Sequence, residues 1–354
     1  MSLGPIMLDL QGQQLTQDER ELLRHPLVGG IILFSRNYLN PEQLSALCAE
    51  VHGMRNPPLL IAVDHEGGHV QRFRDHFTAL PPCRRYGDHY DSGPDHALHL
   101  SELGGWLMAA ELLAVGVDFS FAPVLDLDKG ISQVIGTRAF HSHEDITTHL
   151  AKRFMRGMKE AGMAAVGKHF PGHGSVPQDS HTETPVDERS YEEIAISDLL
   201  PFERLIQAGL PAIMPAHVLY PAVDDKLAGY SAVWLQRILR QQLGFQGVIF
   251  SDDISMAGAG VAGGYIDRTL AALAAGCDMV LICNNQAAAI AVLDELDTQP
   301  HPAAQARFMR MHGRGPKQAL AQLRASGRWQ AAARLITGLE QAPELELGDD
   351  EIHS

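Results

Sequence analysis

The sequence predicts an α/β fold, a single-domain (β/α)8 TIM barrel with a C-terminal helical extension. Eight apolar, β-branched runs of strand length recur along the 354 residues. The runs are continuous rather than alternating, which is typical of strands buried on both faces of a parallel sheet. Helix start and stop signals lie between them, so strand and helix alternate, and eight such units favour a closed barrel.

The predicted strands are separated by segments with helical periodicity. An open, doubly wound sheet is the alternative arrangement, but no G-x-G-x-x-G sequence follows the first strand to support it. The eight runs are, in chain order, Pro5–Leu10, Val28–Phe34, Leu59–Val63, Val117–Val124, Ala164–Gly167, Ala212–Pro215, Gly247–Phe250 and Met279–Ile282.

Three of the predicted helices have clear boundaries. Each starts at a serine that can cap the first turn, in two cases with an acidic residue three positions later. Each stops at a glycine that can take the left-handed conformation. These segments run from Ser142 (with Asp145) to Gly162, from Ser190 (with Glu193) to Gly209, and from Ser231 to Gly244.

The end of the chain differs in composition from the barrel. The stretch from Pro302 to Leu339 is rich in Ala, Gln, Arg and Leu, which predicts helices that pack outside the barrel. The residues from Glu344 to Ser354 are acidic and form a tail. We therefore expect a barrel over residues 1–300 and a helical extension with an acidic tail over residues 301–354, packed on the barrel.

Composition excludes several classes of protein. The formal net charge of -15 opposes binding to nucleic acid, whose phosphates the chain would repel. No segment approaches the about 18 apolar residues that span a bilayer, and the N-terminus lacks the pattern of a secretory signal. The four cysteines have no C-x-x-C spacing, so neither a disulfide framework nor a zinc ribbon is indicated. We expect a cytoplasmic monomer that binds a small molecule.

Polar residues follow six of the eight predicted strands. In barrels of this kind the active site lies at the carboxyl ends of the strands, so these residues predict a polar pocket there. The groups are Asp64-His65-Glu66-Gly67-Gly68, Asp126 with Asp128, Lys168-His169-Phe170-Pro171-Gly172-His173-Gly174, His217, Ser251-Asp252-Asp253 and Asn284-Asn285.

Three kinds of function fit these residues. In a metal-dependent hydrolase, the ligands would be His169, His173, His181, His217 and Asp252. In a glycoside hydrolase, one carboxylate would attack the sugar, while Asp64, Arg72, Arg138 and Lys168 would bind its hydroxyls. A sugar-binding barrel without catalysis would use the same binding residues. Lys168 beside the histidines is a poor companion for a metal cation, which counts against the first. The third gives no reason for the pair of Asp179 and His181, where a carboxylate can hold an imidazole in its acid form.

Three segments together resemble a known family. They are Lys168-His169-Phe170-Pro171-Gly172-His173-Gly174, Asp179-Ser180-His181 and Ser251-Asp252-Asp253-Ile254-Ser255-Met256. In combination they are similar to glycoside hydrolase family 3, and within it to the single-domain bacterial β-N-acetylglucosaminidases of peptidoglycan recycling. The resemblance extends from about Gly4 to Asn285.

The resemblance implies a retaining mechanism with no cofactor and no metal. It implies that Asp252, rather than Asp253, is the nucleophile, and that His181 is the acid/base, paired with Asp179. The sugar-binding residues would be Asp64, Arg72, Arg138, Lys168 and His169. The implied reaction is cleavage of the β-1,4 bond between GlcNAc and 1,6-anhydro-MurNAc, with or without the stem peptide.

Two positions depart from the family's usual pattern. His69 stands in E-G-G-H-V-Q-R where the family usually has arginine, although Arg72 is kept. His65 stands in Asp-His-Glu where glutamine is common. If the missing arginine holds the loop in place, the loop loses stability, while the catalytic residues implied by the resemblance are unaffected.

Overall fold

Eight parallel strands form a closed barrel in the computed structural model of the chain, which describes residues 2–180, 183–297, 301–316 and 318–340. Neighbouring strands follow the order β4-β3-β2-β1-β8-β7-β6-β5, and a bridge between Val124 and Lys168 joins the two ends. The strands are β1 (Ile6–Asp9), β2 (Val28–Leu33), β3 (Leu60–Val63), β4 (Phe119–Ser120), β5 (Val166–Phe170), β6 (Ala212–Pro215), β7 (Val248–Asp253) and β8 (Met279–Ile282). The predicted (β/α)8 barrel is confirmed.

The interior of the barrel is filled by apolar side chains. Every residue of β2, β3, β5, β6 and β8 is buried, as the continuous apolar runs predicted. Phe119, Phe121 and Phe250 pack against one another with ring centroids 5.3 to 5.4 Å apart. This packing fixes β4 and β7 relative to each other, and with them the polar residues at their carboxyl ends.

Three strands end three or four residues away from their predicted ends. β4 is confined to Phe119–Ser120, whereas β5 continues to Phe170 and β7 continues to Asp253. The apolar runs end before these two strands do, because polar residues such as Lys168 and Asp253 still pair with neighbouring strands. Lys168 and Asp252 therefore lie within strands rather than in the loops that follow.

Helices surround the barrel. They are α1 (Gln17–Leu22), α2 (Pro41–Gly53), α3 (Arg84–Ser92), α4 (Pro94–Ala114), α5 (Glu144–Ala161), α6 (Tyr191–Ala195), α7 (Leu199–Gln207), a π-helix (Val233–Gln242), α8 (Tyr265–Ala275), α9 (Gln286–Glu295), α10 (Pro302–Phe308), α11 (Leu320–Arg324) and α12 (Gly327–Thr337). No helix in these described ranges is long and apolar enough to cross a membrane.

The predicted helix boundaries are largely confirmed. Ser190 accepts from the Glu193 amide, and the Glu193 carboxylate accepts from the Ser190 amide, which is a capping box. That helix is, however, interrupted after Ala195 and resumes as α7. The predicted cap at Ser142 is wrong: α5 is capped by the His143 ring, which accepts from the Asp145 amide because the helix starts one residue later.

The predicted end of α5 at Gly162 and the predicted helix start at Ser231 are also found in the structure. Gly162 ends α5 with a φ of 101°, a conformation that glycine adopts without strain. Ser231 caps the π-helix by accepting from the Trp234 amide at 3.1 Å. Local side chain to backbone bonds thus define these boundaries independently of the barrel.

The predicted helical extension is present as α10, α11 and α12, and it bonds to the barrel at several points. The Gln305 amide group makes two hydrogen bonds with the backbone of Leu3, of 2.8 and 2.6 Å. The Trp329 indole donates to Glu111 of α4 at 2.8 Å. The tail from residue 344 lies outside the described residues, and the division of the chain at residue 300 stays a prediction.

Candidate active site

Lys168 lies at the carboxyl end of β5, between two carboxylates that follow β3. Its ammonium group is 2.7 Å from Asp64 Oδ1 and 2.6 Å from Glu66 Oε1, and its side chain is only 3% exposed. Burial alone would lower the pKa of Lys168, but the two carboxylates raise it above its usual value. The lysine is therefore a fixed positive charge at this end of the barrel.

Glu66 is the buried partner of Arg138. Arg138 donates from Nε and Nη2 to the two oxygens of Glu66, at 2.9 and 2.8 Å, and from Nη1 to the carbonyl of Val134. Burial opposes ionisation of Glu66, yet Arg138 and Lys168 hold its pKa well below the usual range. The bidentate pair fixes the guanidinium plane of Arg138, a residue that the resemblance assigns to sugar binding.

Sequence reasoning did not single out Glu66. It lies within a quoted segment, but its partners are 72 and 102 positions away along the chain. The available signal was a charge balance, because the predicted sugar-binding residues include three cations, Arg72, Arg138 and Lys168, and one carboxylate, Asp64.

Arg72 contacts Asp64, the carboxylate that also pairs with Lys168. Its guanidinium is 3.7 Å from Asp64 Oδ2 and 5.7 Å from the centre of the Phe34 ring, and the side chain is one-third exposed. Arg72 follows a short hairpin whose first strand ends at Gly67, with a φ of 115°. A Cβ at Gly67 would lie 2.4 Å from the Pro81 carbonyl oxygen, so the hairpin requires glycine there.

The two departures from the family pattern are both accommodated. His69 is exposed, and the carbonyl oxygens of Gly68 and His69 accept from Arg74 at 3.0 and 3.3 Å, so another arginine binds this loop. His65 is buried against the rings of Phe73 and Phe77. Burial lowers its pKa to about 3, so His65 is a neutral ring in this core.

Asp126 orients His169. Its Oδ2 is 2.7 Å from Nδ1 of the His169 ring, and its Oδ1 accepts from the amide of His173 at 2.7 Å. Burial opposes ionisation of Asp126, but the His169 side chain and the His173 amide lower its pKa. Asp126 therefore fixes the orientation of the His169 ring and leaves Nε2 for other partners.

Asp252 and Asp253 have different environments at the end of β7. Asp253 accepts from the amides of Ser255 and Cys283, at 2.9 and 3.1 Å, and from the Ser255 hydroxyl, so it holds loop backbone in place. Burial raises its pKa to about 6. Asp252 is half-buried and accepts from the Asp253 amide at 2.8 Å.

The charge state of Asp252 follows from its neighbours. Burial opposes ionisation, but the His217 and His169 side chains, the Asp253 amide and the Lys168 charge together lower its pKa. Asp252 is thus a carboxylate at neutral pH. His217 lies beneath it, with Nε2 3.1 Å from the Asp253 carbonyl oxygen, and burial lowers the pKa of the ring.

The loop that includes the predicted acid/base is partly described. His181 lies outside the described residues, so its position relative to Asp252 stays a prediction. Ser180 is buried, and its hydroxyl is 3.1 Å from Nε2 of His173. The Asp179 carbonyl accepts from the Glu183 amide at 3.0 Å, which joins the described residues on either side of positions 181 and 182.

The described histidines do not form a metal site with Asp252. Within the described ranges, the one group of three ligands close enough to share an ion is His143, Glu144 and Asp145. That group lies at the N-terminus of α5, and its histidine and carboxylates are those of an exposed helix cap. His169 is instead bound to Asp126, and His217 to backbone.

Comparisons with known proteins agree with this arrangement. A family model described as "Glycosyl hydrolase family 3 N terminal domain" matches residues 7–311. A protein of Thioalkalivibrio sulfidiphilus named beta-hexosaminidase is 55% identical over 347 residues, which cover 98% of this chain and 99% of that protein. A protein of the same name from Thiobacillus denitrificans is 55% identical over 352 residues, covering 99% of this chain and 98% of that protein.

Solved structures also resemble the chain. NagZ from Neisseria gonorrhoeae, in complex with N-trifluoroacetyl-D-glucosamine, is 42% identical with a TM-score of 0.92. The match covers 96% of this chain and 99% of that chain. A structure of the same protein in complex with a zinc ion is 41% identical with a TM-score of 0.90, over 96% of this chain and 99% of that one. By the family model and by these relatives, the chain belongs to glycosyl hydrolase family 3.

Proposed function

We propose that the chain is a retaining exo-β-N-acetylglucosaminidase that cleaves the β-1,4 bond between GlcNAc and 1,6-anhydro-MurNAc. The coarser activity, that of a β-N-acetylhexosaminidase, follows from full-length relatives of that name. The finer substrate is supported by the resemblance to peptidoglycan-recycling enzymes. A cytoplasmic, monomeric enzyme acting on a small muropeptide, with or without its peptide, belongs to the same proposal.

The observation that carries the mechanism is the difference between Asp252 and Asp253. Asp252 is a carboxylate held by one backbone donor, whereas Asp253 is occupied by Ser255 and Cys283. In the first step an oxygen of Asp252 bonds to the anomeric carbon as the glycosidic C–O bond breaks. The proton that the leaving oxygen needs comes from His181, with Asp179 stabilising the imidazolium.

The second step reverses the proton transfer. Water attacks the anomeric carbon of the covalent intermediate, the bond to Asp252 breaks, and the neutral His181 ring takes a proton from the water. Two inversions at one carbon leave the product with the configuration of the substrate. A histidine suits this role because a second carboxylate beside Asp252 would add like-charge repulsion.

The sugar would be bound by side chains that the barrel already brings together. Asp64 accepts from Lys168 and lies near Arg72, so its oxygens are oriented before substrate arrives. Lys168, Arg72 and Arg138 are donors, and His169 presents its Nε2 edge. Charged groups that are fixed in advance bind neutral hydroxyls strongly because little reorganisation is needed.

The test compares a chromogenic β-GlcNAc substrate with the matching β-glucoside, followed by the GlcNAc–anhydro-MurNAc disaccharide. We expect turnover of the first and third and not of the second, with the β-anomer as the first product seen by NMR. Release of the α-anomer would contradict the covalent intermediate. Binding of the disaccharide without turnover would favour a sugar-binding barrel.

A further inference from the structure

A large groove lies on the opposite side of the barrel from the candidate active site. Its volume is about 1430 Å³, and its lining includes residues that precede β5, β6 and β7, such as Met163, Leu210 and Phe245. These segments are at the amino ends of the strands, whereas the site described above is at the carboxyl ends. One side of α5 forms the wall of the groove. We call it the basic groove.

The charge of the basic groove is opposite to that of the chain. Among the described residues, its lining has only two carboxylates, Asp95 and Glu160, on a chain whose net charge is -15. Its permanent cations are Lys152, Arg153, Arg156, Lys159, Arg310 and Arg314. A local excess of positive charge in a concave surface attracts an anionic ligand.

Four of these six cations have no acidic partner among the described residues. Arg153 and Arg156 share Glu102 of α4, at 3.0 and 3.2 Å. The other four are exposed and make no salt bridge in the described part of the chain: Lys152, Lys159, Arg310 and Arg314. The floor between them is apolar, with side chains from the barrel core and from α7. A suitable occupant therefore has both carboxylates and apolar side chains.

Residues 341–354 of the same chain have this chemistry. The segment reads Gln-Ala-Pro-Glu-Leu-Glu-Leu-Gly-Asp-Asp-Glu-Ile-His-Ser, with acidic and apolar residues alternating at its start. Its five carboxylates are Glu344, Glu346, Asp349, Asp350 and Glu351. In an extended conformation alternate side chains point in opposite directions, so the acids and the leucines would face different walls. This segment lies outside the described residues.

The segment is also long enough to reach. Arg328, at the start of α12, is 2.9 Å from Glu160, which lines the groove. The eleven residues of α12 span about 16 Å. The fourteen residues after Glu340 can extend over about 45 Å, so they can return to the groove whichever way α12 points.

We propose that residues 341–354 bind in the basic groove of their own chain, with their carboxylates on Lys152, Lys159 and Arg310. Attachment to the same chain gives the segment a high effective concentration at the groove, so modest contacts suffice. The basic groove is then a binding site for a peptide in which acidic and apolar residues alternate. A second copy of the chain, or a foreign polyanion, is the competing occupant.

Zero-length cross-linking of the full chain tests the proposal directly. A carbodiimide condenses a carboxylate with an amine in contact, forming an amide with loss of water. Mass spectrometry should find residues 344–351 joined to Lys152 or Lys159 and not to the exposed Lys226, with the yield falling in about 1 M salt. Equal yields at Lys226, or no cross-link to either groove lysine, would overturn it.

An equal mixture of ¹⁵N-labelled and unlabelled chains identifies which copy the tail binds. Cross-links within one isotope class support the proposal, whereas mixed cross-links alone would show a second copy as the occupant and overturn it. The measurement requires no substitution, so a failure to fold does not affect it.

A dye on Ser354→Cys provides the variant test, since the four native cysteines are buried. The double variant Lys152→Glu, Lys159→Glu should lower the fluorescence anisotropy of the dye. The expected value is that of a chain in which the five acidic residues of the tail are replaced by Asn or Gln. The matched control, Lys226→Glu with Arg237→Glu, makes the same charge change elsewhere and should leave the anisotropy unchanged. An equal fall in both double variants, or in neither, would refute the proposal.

Discussion

The amide of Gly258 donates a 2.9 Å hydrogen bond to the carbonyl oxygen of Ser180. The hydroxyl of Thr184 returns a bond to the Gly258 carbonyl at 3.3 Å. The segment that follows Asp252 is thus bonded to described residues on both sides of positions 181 and 182. A Cβ at Gly258 would lie 2.8 Å from the Ser180 oxygen and 2.9 Å from the Glu183 oxygen, so only glycine allows this contact.

Gly258→Ala should therefore impair the acid/base loop without touching Asp252. The added methyl group must displace the backbone at Ser180 and Glu183, the described residues that flank the predicted acid/base His181. We expect kcat for the GlcNAc–anhydro-MurNAc disaccharide to fall about 10- to 100-fold, and much less for an activated aryl glycoside that needs little protonation. Gly260→Ala is the matched control, because its nearest neighbour is the flexible end of Arg268 at 3.4 Å. Equal losses on both substrates would contradict the coupling.

His181→Ala should show the same substrate dependence in a stronger form. Loss of the general acid should cost about 10²- to 10⁴-fold on substrates with poor leaving groups. The activated aryl glycoside should retain most of its glycosylation rate. Steady-state kinetics on a series of leaving groups of graded pKa is the measurement, and a slope identical to that of the unmodified enzyme would exclude the acid role.

Asp252→Ala should mainly lower kcat, whereas Asp253→Ala should mainly lower the free energy of unfolding. Without Asp252 no covalent intermediate forms, so kcat should fall by about 10⁴-fold or more while the melting temperature changes little. Asp253→Ala removes an acceptor for the Ser255 and Cys283 amides, so it should lower stability by about 1 to 3 kcal/mol. A fluoro-sugar trap followed by peptide mapping checks the first result. An adduct on any residue other than Asp252 would disprove it.

Glu66→Gln should destabilise the fold more than the loss of a surface charge does. The substitution leaves Arg138 and the buried Lys168 with one carboxylate between them, which should cost about 3 to 5 kcal/mol in chemical denaturation. Glu102→Gln is the control, since Glu102 pairs with Arg153 and Arg156 at the surface, where such a loss costs about 0 to 1 kcal/mol. Comparable losses would mean that the buried network contributes little.

Asp118 should contribute to the acid sensitivity of the fold. Burial opposes its ionisation, but His312 and His52 lower its pKa from 3.8 to about 2. A lowered pKa in the folded state contributes stability above the unfolded value, and this stability is lost as the pH falls from about 4 through about 2. The free energy of unfolding of the native chain should exceed that of Asp118→Asn by about 2 kcal/mol at pH 5, from this shift alone. The difference should shrink toward pH 2, and a pH-independent difference would contradict the assignment.

The prediction that no metal takes part in the reaction can be tested in solution. A solved NagZ structure contains zinc, so activity should be measured after dialysis against a chelator and again with added zinc. We expect activity to survive the chelator, because among the described residues no group of three ligands that includes Asp252 is close enough to share one ion. Loss on chelation with recovery by zinc would reinstate the metal-dependent mechanism.

The barrel could be predicted from the sequence because each strand is a local apolar run. The ends of β5 and β7 could not, since polar residues interrupt the apolar pattern there while the backbones of Lys168 and Asp253 still pair. Glu66 was not singled out for a different reason. Its role depends on Arg138 and Lys168, which no local pattern connects to it. The choice of Asp252 over Asp253 came from the resemblance alone, and the structure gives it a physical basis in the donors that surround Asp253.

The paired bonds between Leu3 and Gln305 link residues 302 positions apart along the chain. On the ribosome, the first strand therefore emerges long before two of its partners exist, because β8 and α10 lie in the last quarter of the chain. Until then the outer edge of β1 lacks a neighbour on one side and is open to wrong pairing. We expect barrel closure to come late in synthesis, so newly made protein should depend on chaperones more than its final stability would suggest.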